Sequence, residues 1–140
     1  MGSRRVIQLP IEPGLICLKG LSPTRLRFEV EYGLERGTTA NSFLFQEVPL
    51  LVHPPGASFA EPFLAELAKL VPAEAPLKVV VGDVNPNRVA LLRQLVARWP
   101  NLLLVSSNAG AKLLEELWNL QKPVAPGSET TPEPIPALPR

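Results

Sequence analysis

The chain has few of the residues that build covalent and metal cross-links. Its 140 residues include one cysteine and one histidine. The single cysteine excludes a disulfide framework, and the single histidine excludes a metal site built from several imidazoles. Cys17 lies in an apolar run, so we predict a buried structural cysteine. His53 precedes two prolines and no nucleophile-elbow pattern is present, so we predict a strand-end histidine packed under a proline turn.

An excess of charge of one sign and long apolar runs are also absent. With 14 basic and 13 acidic residues the net charge is +1, so the chain has no electrostatic footprint for nucleic acid or an anionic membrane. No run approaches the ~20 apolar residues that a transmembrane helix needs. We therefore predict a cytoplasmic protein with neither nucleic acid nor membrane insertion among its partners. Its hydrophobic content of 46% suffices for the core of one domain.

The first half of the chain has the pattern of antiparallel strands. Arg25–Tyr32 alternates apolar with charged residues, which is typical of a half-buried strand. Shorter apolar segments bounded by turn residues indicate further strands. These are Arg4–Leu9, Leu15–Leu18, Ser42–Gln46 and Leu50–Val52, and a polar loop with two glycines, Gly33–Asn41, is predicted before the third of them.

The second half alternates helices with short apolar strands. Ser58 and Glu61 fit a capping box, and Asn85 with Pro86 fits a helix cap and first helical position. The order predicts an α/β or α+β layered domain, with helices packed on a mixed sheet. The predicted strands, buried on both faces, are Leu77–Val81 and Leu102–Val105, and the predicted helices run from Ser58 to about Val71, from Asn85, and from Ser107 or Asn108 to near Trp118.

The composition changes at Pro123. Six of the last 18 residues are proline, with glycine, serine and threonine between them. Such a segment buries little apolar surface, so we predict that it is extended or disordered. We therefore divide the chain into a layered domain, residues 1–120, and a Pro-rich tail, residues 121–140.

Polar side chains are concentrated in the turn after Leu77–Val81, at a strand-to-helix junction where α/β proteins place functional sites. They are Asp83, Asn85, Asn87 and Arg88. A divalent transition metal favours imidazole, thiolate and carboxylate, whereas this set holds one carboxylate, two amides and a guanidinium. Two interpretations stay open. The turn is either structural, with an Asp83–Arg88 ion pair and asparagines that satisfy backbone donors, or an anion or nucleotide site on Gly82–Arg88.

The chain resembles one protein family between Arg25 and Trp118. The segments that carry the resemblance are RLRFEVEYGLERGTTANSFLF at Arg25–Phe45, the strand-turn-helix at Val81–Leu92, and SSNAGAKLL at Ser106–Leu114. Together they resemble flavodiiron proteins, in particular the branch of oxygenic phototrophs. The resemblance implies the N-terminal portion of a metallo-β-lactamase-like αββα sandwich. In full-length members a flavodoxin-like FMN domain and, in this branch, a flavin-reductase-like domain follow.

The resemblance also implies where a diiron site would lie. The family's first ligand motif, His-x-Glu-x-Asp-His, falls on Asp83, Asn85, Asn87 and Arg88, and no position matches as a ligand. We therefore predict degenerate ligand positions, no metal ligand, no catalytic residue and no cofactor in this chain, although the parent family uses FMN and diiron. Arg88 is predicted to occupy the would-be metal volume and to pair with Asp83, with asparagine oxygens accepting its other donors. The alternative is an Arg88 that extends into solvent.

Two functional hypotheses follow. The first is the N-terminal segment of a flavodiiron-type oxidoreductase, a family that reduces dioxygen to water with electrons from a reduced nicotinamide or ferredoxin through FMN. This segment alone should not turn over. The second is a non-catalytic interaction module, because half of a sandwich leaves a sheet face or edge uncovered. The resemblance covers about half of the sandwich, so we expect a fragment or truncated product that forms homo- or hetero-oligomers with flavodiiron subunits.

Overall fold

The computed structural model describes residues 4–22, 38–120, 135, 137 and 138. The described residues form a mixed six-stranded sheet in which spatial order follows chain order, with helices packed on it, so the predicted α/β layered architecture is confirmed. The strands are β1 (Arg5–Glu12), β2 (Leu15–Ser22), β3 (Thr38–Phe45), β4 (Leu50–Val52), β5 (Lys78–Val80) and β6 (Leu103–Val105), and the helices are α1 (Ala60–Leu70), α2 (Pro86–Arg98) and α3 (Asn108–Leu120).

The strands β1, β2 and β3 form an antiparallel ladder of eight-residue strands. Gly14 closes the β1–β2 hairpin at φ 83°, a left-handed conformation that glycine adopts without steric cost. The β2–β3 ladder runs as far as Ser22 opposite Thr38. The prediction of a polar loop up to Asn41 is therefore wrong, because backbone pairing with β2 overrides the polar composition. The predicted strand Arg25–Tyr32 lies outside the described residues.

The strands β4, β5 and β6 form the parallel part of the sheet, and β4 also joins it to β3 in antiparallel pairing. Each has three residues, and α1 and α2 connect them in turn. The last residues of the three strands, Val52, Val80 and Val105, are partners in register. The loops that follow these strands therefore leave the sheet at one edge, which we call the carboxyl edge.

The helix-covered face of the sheet is defined by Leu18, Gly20, Leu44, Leu51, Val79 and Leu104, which are register partners or lie two residues apart along one strand. The Phe59 ring lies directly on Gly20, where an added Cβ would come within 2.9 Å of a ring carbon. The amide of Gln8 donates to Glu66 of α1 over 3.2 Å, which places α1 on the same side. The five apolar side chains in the definition are at most 1% exposed, so this face forms the core.

The opposite face, which we call the open face, carries the alternate residues of each strand. Leu9, Phe45 and Val105 on this face are 41%, 39% and 38% exposed. The prediction that β5 and β6 are buried on both faces is therefore wrong, because α1 and α2 pack on the helix-covered face alone. The residues of the open face are Arg5, Ile7, Leu9, Glu12, Leu15, Cys17, Lys19, Leu21, Asn41, Phe43, Phe45, Leu50, Val52, Lys78, Val80, Leu103 and Val105.

The start of α1 differs from the predicted capping box. A 3-10 turn spans Ala57–Phe59, and α1 begins at Ala60 with Phe59 as its N-cap and no side-chain cap bond. Phe59 is 1% exposed because its ring is anchored on the sheet. Packing of this ring, rather than the Ser58 hydroxyl, sets the beginning of the helix. No helix among the described residues combines the length and apolarity that crossing a membrane requires.

Three residues near the C-terminus belong to the hydrophobic core. Ile135, Ala137 and Leu138 are 0%, 5% and 7% exposed. The Leu104 N–H donates to the Ala137 carbonyl over 2.9 Å, so this part of the chain lies along the outer edge of β6. The Pro-rich tail thus supplies apolar groups to the core at these positions, and the division of the chain at residue 120 stays a prediction. Cys17 is buried, as predicted.

Candidate functional site

The predicted site residues lie at the carboxyl edge. Three loops leave this edge: residues 53–56 after β4, residues 81–85 after β5, and residues 106–107 after β6. Because β3 runs antiparallel to β4, its Ser42 lies beside the first loop, and its hydroxyl donates to the His53 carbonyl over 2.6 Å. The structure therefore brings the predicted turn against the proline turn at residues 53–56, which the sequence did not indicate as part of the site.

Arg88 joins the first two loops. Its Nε donates to the Pro54 carbonyl over 2.8 Å, and its Nη1 donates to the Asp83 carbonyl over 2.5 Å. The same Nη1 lies 3.4 Å from Asp83 Oδ2, so the predicted ion pair is present. The Arg88 side chain is 19% exposed, and the interpretation that it extends into solvent is wrong. The Asp83 side chain is 78% exposed, so water screens this pair and the two carbonyl bonds carry most of the interaction.

The two asparagines have other roles than the predicted one of binding the Arg88 guanidinium. Asn85 is the N-cap of α2, and its Oδ1 accepts from the Arg88 backbone N–H over 2.8 Å, with Pro86 at the first helical position as predicted. Asn87 lies on Gly56, where an added Cβ would come within 2.6 Å of Asn87 Cγ. Gly56 therefore permits the close approach of α2 to the first loop, a role that the Pro-Pro-Gly sequence before α1 could have suggested.

His53 is at the end of β4, as predicted, but it is exposed rather than packed. Its backbone has φ 61°, a left-handed conformation that is uncommon for a residue with a side chain. This conformation turns the chain into Pro54 and Pro55, which are both buried. The His53 ring lies beside Gly82, with Cε1 3.5 Å from the position of an added Cβ. The prolines, and not the histidine, are the packed part of this turn.

The third loop begins α3 with a different set of contacts. Ser107 Oγ accepts from the Gly110 N–H over 3.0 Å, so Ser107, one of the two residues predicted, is the cap. Ser106 Oγ is buried and is the one such side-chain atom without a hydrogen-bond partner in the described part of the chain. It lies over Gly110, where an added Cβ would clash with it. Sequence patterns give no signal for this buried hydroxyl, since the cap prediction concerned Ser107 and Asn108.

The donor set at the carboxyl edge is poor in metal ligands. Within residues 4–22, 38–120, 135, 137 and 138, no group of three or more His, Cys, Asp and Glu side chains could hold a metal ion. The Arg88 guanidinium and the Asn85 oxygen are engaged by the protein itself. Anion binding on the Gly82–Arg88 turn would compete with these bonds, so the geometry does not favour that hypothesis.

Solved structures show the same fold. A metal-soaked flavodiiron core from Synechocystis sp. matches with a TM-score of 0.77 and 36% identity, over 83% of this chain and 29% of that chain. A fragment of a diflavin flavoprotein A 5 from Nostoc sp. matches with a TM-score of 0.76 and 34% identity, over 82% of this chain and 47% of that chain. The predicted portion of a metallo-β-lactamase-like flavodiiron core is thereby confirmed.

Curated relatives give the same result from sequence. They include diflavin flavoprotein A 6 of Nostoc sp., 44% identical over 109 residues, and diflavin flavoprotein A 4 of Synechocystis sp., 46% identical over 106 residues. These matches cover 77% and 75% of this chain, but 19% and 18% of the relatives. The chain thus spans about a fifth of the length of the curated relatives it matches. No protein-family model matches it.

Proposed function

Because this chain belongs to the flavodiiron family, as a relative of its N-terminal part, we propose that it is a segment of an oxygen-reducing oxidoreductase whose own carboxyl edge holds no iron. The observation that carries this proposal is the placement of Arg88. A guanidinium keeps its positive charge at every working pH, and here it lies between the two loops that meet at the degenerate ligand positions.

The described residues do not fit a diiron centre. Iron in such sites needs carboxylates and neutral imidazoles that are free to coordinate. Asp83 is the one carboxylate of the turn and faces Arg88. The side-chain oxygen of Asn85 already accepts a hydrogen bond as the helix cap. His53 points along Gly82 rather than joining a cluster of ligands. In this proposal the carboxyl edge of this chain takes no part in oxygen chemistry.

Arg88 in this proposal replaces a bound cation with a tethered one. It bridges the carbonyl of Pro54 in the first loop and that of Asp83 in the second, and both hydrogen bonds come from a charged donor. A metal ion would hold such loops by coordination, whereas a guanidinium holds them by hydrogen bonds in a planar fork. The consequence is a loop arrangement that persists without metal. Reduction of dioxygen with FMN and a nicotinamide or ferredoxin donor would belong to the complete protein, and we place that protein in the cytoplasm.

Iron binding tests the proposal directly. The purified chain is incubated anaerobically with ferrous iron, and bound iron, oxygen uptake and the midpoint of thermal unfolding are measured. We expect less than one tenth of an equivalent of iron, on the order of assay background, no oxygen uptake and no shift of the midpoint, since a bound metal stabilises the fold by mass action. Binding of two equivalents of iron, together with a raised midpoint of thermal unfolding, would contradict the proposal. The variant Arg88→Ala, measured in parallel, shows whether removal of the guanidinium alone opens the site.

The open face favours a second candidate, a non-catalytic interaction module. Exposed Leu9, Phe45 and Val105 on one sheet face resemble the surface of one layer of a sandwich that lacks its other layer. A complete diflavin flavoprotein subunit mixed with this chain in sedimentation experiments tests the hypothesis. Co-sedimentation that is lost when Leu9 is replaced by aspartate supports it, and independent sedimentation at tens of micromolar rejects it.

A further inference from the structure

We draw no further inference here: the strongest candidate, the cavity of about 200 Å³ that Glu12 and Glu47 line between the β1–β2 hairpin and the turn after β3, rests on a pair of acidic side chains alone, and nothing in the described part of the chain shows what covers it.

Discussion

The β5–α2 and β6–α3 junctions lie side by side at the carboxyl edge and are built differently. Both leave a three-residue parallel strand and begin a helix of 13 residues with a polar cap. At the first, the Asn85 cap is joined by Arg88, which reaches back to Pro54 in the neighbouring loop. At the second, Ser107 caps the helix and Ser106 keeps a buried hydroxyl without a partner. The first junction is bound to another loop, whereas the second is held by a local contact.

This difference shows what a side chain at the third position of a helix can do. Arg88 lies in the first turn of α2, so its side chain points back towards the strand end and reaches the adjacent loop. The corresponding first turn of α3 contains Gly110 and Ala111, which cannot reach any neighbour. The two junctions therefore differ in how far their contacts reach, and one long side chain makes this difference. Substitutions at each junction can test this conclusion.

The largest effect is expected for Arg88→Ala. Two charge-assisted bonds to backbone carbonyls are lost, and we expect the free energy of unfolding to fall by about 2–3 kcal/mol. The exposed Asp83 contributes little of this loss. Urea unfolding measures the change, with Arg98→Ala at the exposed end of α2 as the matched control. A loss no larger than that of the control would show that the first junction is held as locally as the second.

A smaller effect is expected for Gly56→Ala, which tests the contact between α2 and the first loop. The added methyl group would overlap the Asn87 amide nitrogen in the present arrangement. We expect a loss of about 1–2 kcal/mol, because Asn87 must rotate away and the loop must shift. In an Asn87→Ala background the same change should cost at most half as much. Equal costs in both backgrounds would contradict the proposed contact.

The second junction should respond in the opposite direction. Ser106→Ala removes a buried hydroxyl that has no partner, and the Cβ of Gly110→Ala then meets only Ser107 Oγ closely, at 3.1 Å, a contact that a shift of a few tenths of an ångström relieves. The alanine also favours the helix. We expect the double variant to be about 1 kcal/mol more stable than the wild type. Gly110→Ala alone should gain nothing, because the new methyl group meets the Ser106 hydroxyl. A destabilised double variant would mean that Ser106 has a partner in solution.

The smallest effect is expected away from both junctions, at Glu66 of α1. The hydrogen bond from Lys69 and a weaker one from Gln8 lower the pKa of the Glu66 carboxyl from its ordinary value. A lowered pKa means that the contribution is present at neutral pH and is lost as the pH falls through the folded-state value. Glu66→Gln should therefore cost a few tenths of a kcal/mol at about pH 7 and nothing near pH 3. Glu116→Gln on α3 is the control, and a cost that persists at low pH would point to packing instead.

Local chemistry made part of this site predictable. Asn85 and Pro86 are recognisable as cap and first helical position because both act within one helical turn. The Asp83–Arg88 pair is equally local, since five residues across a turn bring the two side chains together. The flavodiiron resemblance also rests on continuous segments of the sequence, and the comparisons confirmed this resemblance. For these features no knowledge of distant contacts is required.

The remaining features depend on residues far apart in the chain, and only the tertiary structure decided them. Thr38–Asn41 is a strand because β2 offers it a partner, although its composition is that of a loop. The two main acceptors of Arg88 are backbone carbonyls, one of them 34 residues away, and backbone groups leave no mark in a sequence pattern. Among the described residues, α1 and α2 lie on one face of the sheet because both connections of the parallel strands cross on that side. The sequence determined the elements and their caps, whereas the sheet order decided which loops meet and which face these helices cover.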